Sequence, residues 1–147
     1  MTSATFSVTV APQHRNATVD VTNDLARAVE DSGVVDGCVI AYCLHTTCGL
    51  LINEWERGAL EDLRDRLDAL VPDDFDYAHD HLARRRGVAD DERRNGRAHV
   101  AQMILGGTSQ AIPVSGGAPV LGTWQRLMLL ELDGGSERTV VFQVFGE

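Results

Sequence analysis

At 147 residues, with 44% apolar and 24% charged content, the chain has the size and make-up of one soluble domain, and no apolar run approaches the roughly 18 residues that a membrane span needs. A net charge of −9 argues against general nucleic-acid binding, which requires a basic face to neutralise phosphates. All thirteen basic residues are arginine, so a P-loop lysine, a Schiff-base lysine and a Ser-Lys dyad are excluded.

The N-terminal stretch MTSATFSVTV lacks the basic start and apolar core of a signal peptide, and is expected to open a cytoplasmic protein. Phe6 to Val10 alternates as a half-buried strand does, and Pro12 ends it. Val21, Leu25 and Val29 recur at helical spacing and Gly33 follows as a stop, which predicts a short amphipathic helix. Cys38 to His45 is rich in β-favouring residues and apolar on both faces, as expected of a central strand buried on both sides. After the break at Thr46 to Gly49, Leu50 to Ile52 resumes an extended pattern. Asn53 and Glu56 have the spacing of a capping box, ahead of a helix carried by Leu60, Leu63, Leu67 and Leu70. The polar, aperiodic stretch from Asp73 to Gly96 reads as a long functional loop.

Ala98 to Leu105 suits a short helix or strand, ending at Gly106-Gly107. Ser109 to Val114, Pro119 to Leu121, Gln125 to Leu132 and Thr139 to Phe145 read as strands separated by glycine turns, and suggest a C-terminal β-meander. With no repeat or linker, residues 1–147 are expected to form a single domain.

Three features carry chemical interest. Zinc-type sites need neutral imidazoles converging from separate elements, and five histidines are available, but no H-E-x-x-H or helical pair occurs. Residue types alone therefore leave His45, His79 and His99 open between metal ligands and ordinary loop or strand-end histidines. Cys38, Cys43 and Cys48 lack a C-x-x-C spacing and default to free thiols, although Cys43 shares a strand face with His45 and Cys48 lies in reach of the same metal. Glu131 sits in the apolar strand LMLLELD, where a carboxylate is costly to bury alone; it is either solvent-facing at a strand end or a site residue.

Arginines 84, 85, 86, 93, 94 and 97 oppose three acids in their segment, a local +3, while the other seven arginines and nineteen acids carry −12. A charge run is commonly a solvated face, yet arginine forks match phosphate, and Gly106-Gly107-Thr108-Ser109 offers N–H groups and hydroxyls to an anion.

The ordered set HTTCGLLINEWE (45–56), Y-x-H (77–79), NGRAH (95–99), LGTWQR (121–126) and VVFQVFGE resembles the YjbQ-like family over nearly the whole chain. The resemblance implies an α+β fold, a compact β-rich sandwich of mostly antiparallel strands with two main helices, assembled as a homotrimer with a metal-associated pocket near a subunit interface. It implies a divalent metal, zinc by preference, on His45, His79 and His99. Glu54, Glu131 and Gln125 then fall to catalysis, and Asn53, Asn95, Thr123, Trp124 and Arg126 to a phosphorylated small-molecule substrate. The activity so implied is that of a thiamine-phosphate synthase, joining a pyrimidine diphosphate to a thiazole phosphate. A metal-dependent phosphatase-like hydrolase and a non-enzymatic trimeric metal- or ligand-binding protein are the alternatives. The run before His99 departs from the family pattern, so substrate contacts transfer less safely than metal ligands.

Overall fold

The computed structural model describes residues 1–147 as eight strands and three helices. The strands are β1 (Thr2–Val10), β2 (Thr18–Asp20), β3 (Gly37–Cys43), β4 (Cys48–Glu54), β5 (Ser109–Ser115), β6 (Ala118–Pro119), β7 (Gln125–Glu131) and β8 (Arg138–Gly146). The helices are α1 (Thr22–Ser32), α2 (Arg57–Leu70) and α3 (Gly96–Leu105). No helix is long and apolar enough to cross a membrane.

The strands divide into a five-stranded sheet, β1-β8-β3-β5-β6, and a three-stranded sheet, β2-β7-β4, with every pairing antiparallel. The expected C-terminal meander does not form. β5 pairs with β3, β7 lies between β2 and β4 in the second sheet, and β8 returns to the first between β1 and β3. Glycine turns mark where the chain reverses, but the partner is chosen by which apolar faces can be buried together, a long-range matter.

Val39, Ala41 and Cys43 on β3 and Val140, Phe142 and Val144 on β8 face inward. They meet Leu50 of β4, Leu127 and Leu129 of β7, and Leu25 and Val29 of α1. Fully burying side chains of this kind is worth about 1.5–3 kcal/mol each. A smaller cluster forms on the opposite face of the second sheet, where Leu130 and Leu132 pack against Leu67 of α2, Ala101 of α3 and Tyr77. The second sheet is thus covered on both faces, which explains the unbroken apolar run from Leu127 to Leu130.

β3 is central in its sheet but buried on one face only. Tyr42 remains 45% exposed and Ile40 half-buried, because no helix covers the outer side.

α1 ends as expected at Gly33, whose φ of 70° is left-handed and suits glycine. The start of α2 differs from expectation. Asn53 lies in β4, opposite Arg126, and its Oδ1 accepts the N–H of Glu54. Glu56 is the cap: its carboxylate accepts the N–H groups of Gly58 and Ala59, both at 2.9 Å. The 73–96 stretch is irregular apart from two short 3-10 turns, Ala78–Asp80 and Leu82–Arg84.

Candidate functional site

Two histidines from separate elements meet. His79 stands on the first 3-10 turn and His99 in the first turns of α3, and their ring centroids lie 4.5 Å apart with planes inclined at 41°. The approach is built by Gly96, whose N–H donates to Asp80 Oδ1 at 2.8 Å. A Cβ on Gly96 would stand 2.7 Å from that of Tyr77 and 3.0 Å from that of His79, so only glycine lets the loop lie this close to the helix.

Asn95, just before α3, donates from its amide to Asp133 Oδ2 at 3.1 Å, and Arg93 reaches the same oxygen at 2.8 Å. Burial lowers the pKa of His99 first, and the neighbouring His79 lowers it further. Beside the pair, a polar cleft of about 150 Å³ is lined by Asp80, Arg94, Asn95, Arg97 and Asp133 among others.

His45 follows β3 at the same end of the molecule. The carbonyl of Thr47 accepts the N–H of Leu132, tying the β3–β4 loop to the β7–β8 loop that carries Asp133. Nε2 of His45 accepts the Thr139 N–H at 2.8 Å, which requires that nitrogen to be deprotonated. Its pKa is lowered by burial, then by the charge of Arg138. Within one chain, however, no three His, Cys, Asp or Glu side chains gather into a group able to hold a metal ion. His79 and His99 form a pair, and His45 is not grouped with them into a three-ligand set.

Glu131 is fully buried at the end of β7, so the solvent-facing situation is not met. Its oxygens are committed. Arg138 grips them bidentately, Nε to Oε2 at 2.6 Å and Nη2 to Oε1 at 2.7 Å, while the N–H groups of Asp133 and Gly134 also donate to Oε1. Burial pushes the Glu131 pKa up, but the Arg138 hydrogen bonds and the two backbone donors outweigh it and hold the carboxyl below its ordinary value. Such a group anchors the β7–β8 loop. Arg138 escaped the sequence reading; the available signal was an acid in an apolar strand, which demands a nearby cation.

The remaining candidates lie elsewhere. Cys48 and Glu131 are paired at one end of the β4–β7 ladder, and Glu54 and Gln125 at the other, six steps of about 3.3 Å, or roughly 20 Å, away. There Glu54, Trp55, Glu56, Trp124 and Arg126 line an open groove of about 300 Å³. Thr123 and Trp124 form the exposed turn before β7, and Trp124 is 72% exposed. Gln125 is occupied in shaping that turn, its Oε1 accepting the Gly122 N–H at 2.8 Å. Arg126 donates to the Gln125 carbonyl at 2.8 Å.

The arginine run is divided in use. Arg85 pairs with Glu92, Arg93 with Asp133, and Arg97 with Asp68 and Asp73, whereas Arg84, Arg86 and Arg94 are exposed and make no ion pair. The glycines proposed as an anion cradle serve another purpose. Gly106 is the left-handed cap of α3, and the carbonyl of Gly107 accepts the Leu50 N–H. A helix C-terminus carries the negative end of the dipole and does not attract an anion.

Comparison with known proteins agrees with this fold. A UPF0047 protein from Archaeoglobus fulgidus is 39% identical over 92% of this chain and 97% of its own length. A YugU protein of the same class from Bacillus subtilis is 29% identical over 90% of this chain and 92% of its own. Among solved structures, a YbjQ-like protein from Sulfolobus solfataricus superposes with a TM-score of 0.87 at 30% identity, covering 99% of this chain and 98% of that one. A hypothetical protein from Aeropyrum pernix gives 0.85 at 34% identity, covering 98% and 99%. The family model described as UPF0047 protein YjbQ-like matches residues 6–147. With a family match over residues 6–147 and near full-length similarity to relatives in sequence and in fold, the chain belongs to the YjbQ-like UPF0047 family.

Proposed function

We propose that the chain is a metal-dependent enzyme acting on a phosphorylated small molecule, with His79 and His99 at the core of a divalent-metal site, zinc by preference. The observation that carries this reading is the meeting of two imidazoles from separate elements, with Asp80 and Asp133 beside them. His45, from the loop tied to the same end, is the third ligand, brought in when copies of the chain assemble. A bound metal supplies Lewis-acid chemistry towards a phosphate oxygen or activates water. The unpaired Arg84, Arg86 and Arg94 neutralise substrate phosphate.

The second half of the site is the groove of Glu54, Trp124 and Arg126. Its distance from the histidines within one chain and the exposure of Trp124 and Trp55 favour a homotrimer in which one copy's groove faces another copy's histidines. Glu54, which is exposed, then serves as general acid or base, with Asn53, Asn95, Thr123 and Trp124 around the substrate. The reaction proposed, from the resemblance of the sequence motifs alone, is thiamine phosphate formation from a pyrimidine diphosphate and a thiazole phosphate.

The test is co-expression of His99→Ala with Glu54→Gln chains, each inactive alone, assayed for metal-stimulated thiamine phosphate formation and for phosphate-ester hydrolysis. Each composite site draws one half from each of two chains, so about one third of the sites in mixed trimers, or about one quarter over a randomly assembled population, regain both intact halves. Hydrolysis without synthesis reassigns the enzyme as phosphatase-like. No recovery on mixing refutes the composite site, and no metal-stimulated turnover of either kind refutes the enzyme.

A further inference from the structure

The end of β3 and the start of β4 carry two thiols whose sulfurs converge. Cys43 and Cys48 are 1% and 0% exposed, and their Sγ atoms lie 2.8 Å apart. They are five residues apart, across the connection that bears His45, Thr46 and Thr47. Both ends of that connection are held: the N–H of Cys43 donates to the Thr108 carbonyl, and Cys48 is paired with Glu131 on β7. The sulfurs are therefore brought together by two anchored strands.

The separation decides between two uses of such a pair. Two thiolates on one tetrahedral zinc, each about 2.3 Å from the metal, stand roughly 3.8 Å apart. These sulfurs are closer than that. A disulfide draws them to about 2.05 Å, a further approach of under an ångström that side-chain rotation can supply. The third cysteine, Cys38, is not part of the arrangement; it is half-buried with its thiol towards the Val39 carbonyl.

We propose that Cys43 and Cys48 are a redox-active dithiol that closes to an intramolecular disulfide across the His45 loop. With hydrogen peroxide as oxidant, the two S–H bonds break, the S–S bond forms, and the two electrons cleave the O–O bond to leave two waters. With oxidised glutathione, the same two electrons release two glutathione thiols through a mixed disulfide. This inference is independent of what His45 binds, since the bond forms with or without a metal.

The full chain is equilibrated in glutathione redox buffers of increasing oxidation, then acid-quenched, denatured, alkylated and analysed by mass spectrometry. The expected product is a monomer lighter by two hydrogens, with a fragment-ion gap from residue 43 to residue 48. At the buffer ratio where half the pair is oxidised, Cys38 should carry glutathione at least about ten-fold less often. Cys38→Ser should give the same product, and Cys38→Ser with Cys48→Ala should not. The proposal is overturned if both buried thiols still alkylate after equilibration, if they are lost only as intermolecular disulfides or glutathione adducts, or if the product persists without Cys48.

Discussion

Replacing Arg138 by methionine isolates the contribution of the buried ion pair. The arginine side chain is 7% exposed and Glu131 is 0% exposed, so methionine fills much of the vacated space while the carboxylate stays buried. Its Oε1 keeps the N–H groups of Asp133 and Gly134, but Oε2 loses its only partner. Removing one member of a buried pair costs about 3–5 kcal/mol; the two surviving donors place this case near 3 kcal/mol. For a chain of this size that lowers Tm by roughly 10 °C. Calorimetry or urea unfolding of Arg138→Met, Glu131→Gln and the double variant measures the coupling, and the double variant should lose clearly less than the two single losses together. The pH dependence has a definite sign. Because the folded carboxyl sits below its ordinary value near 4.5, the contribution is complete above that pH and is lost as pH falls through the folded value. Single losses under about 1 kcal/mol, adding without coupling, would refute the structural assignment. So would a Glu131→Gln protein that is fully stable yet inactive.

Other consequences are open to direct measurement. Gly96→Ala inserts a methyl against Tyr77 and His79 and should cost about 1–3 kcal/mol, weakening metal uptake although no proposed ligand changes; unaltered metal affinity would contradict the role given to the close approach. His45 and His99 have pKa values below the ordinary 6.5, so the fold favours their neutral forms. Stability is then complete above pH 6.5 and declines as pH falls through that value towards the folded ones, which denaturant midpoints at pH 7.5 and 5.5 check. Trp124→Ala removes a side chain that is 72% exposed, and should lower the oligomeric state in analytical ultracentrifugation while leaving secondary structure unchanged; an intact trimer would remove the groove from the interface.

Local physics made part of this legible in sequence. α1 announced itself because Val21, Leu25 and Val29 form one stripe and Gly33 stops it, all within thirteen residues. Strand positions were readable for the same reason, but partners were not. β1 pairs with β8 from Thr2↔Gly146 to Val10↔Arg138, a pairing that spans almost the whole chain and that no periodicity records. Asn53 shows a motif losing to context: as a strand residue opposite Arg126 it cannot cap α2, and the task passes to Glu56. At the site, family motifs singled out His79 and His99, whereas their meeting depends on Gly96 and Asp80, whose importance lies in close approach. Glu131 stood out as an anomaly in an apolar strand, and its explanation, Arg138, lay seven residues on beyond a turn. Asp133 was likewise invisible as a partner of Asn95 and Arg93 until the loops came together.

The metal content of protein purified without an affinity tag, measured by plasma emission spectrometry beside His45→Ala, His79→Ala and His99→Ala, bears most directly on the central claim. A divalent metal at close to one per chain in the parent, lost or sharply reduced in all three variants while their folds persist, is the predicted result. Unchanged stoichiometry across the three variants would contradict it.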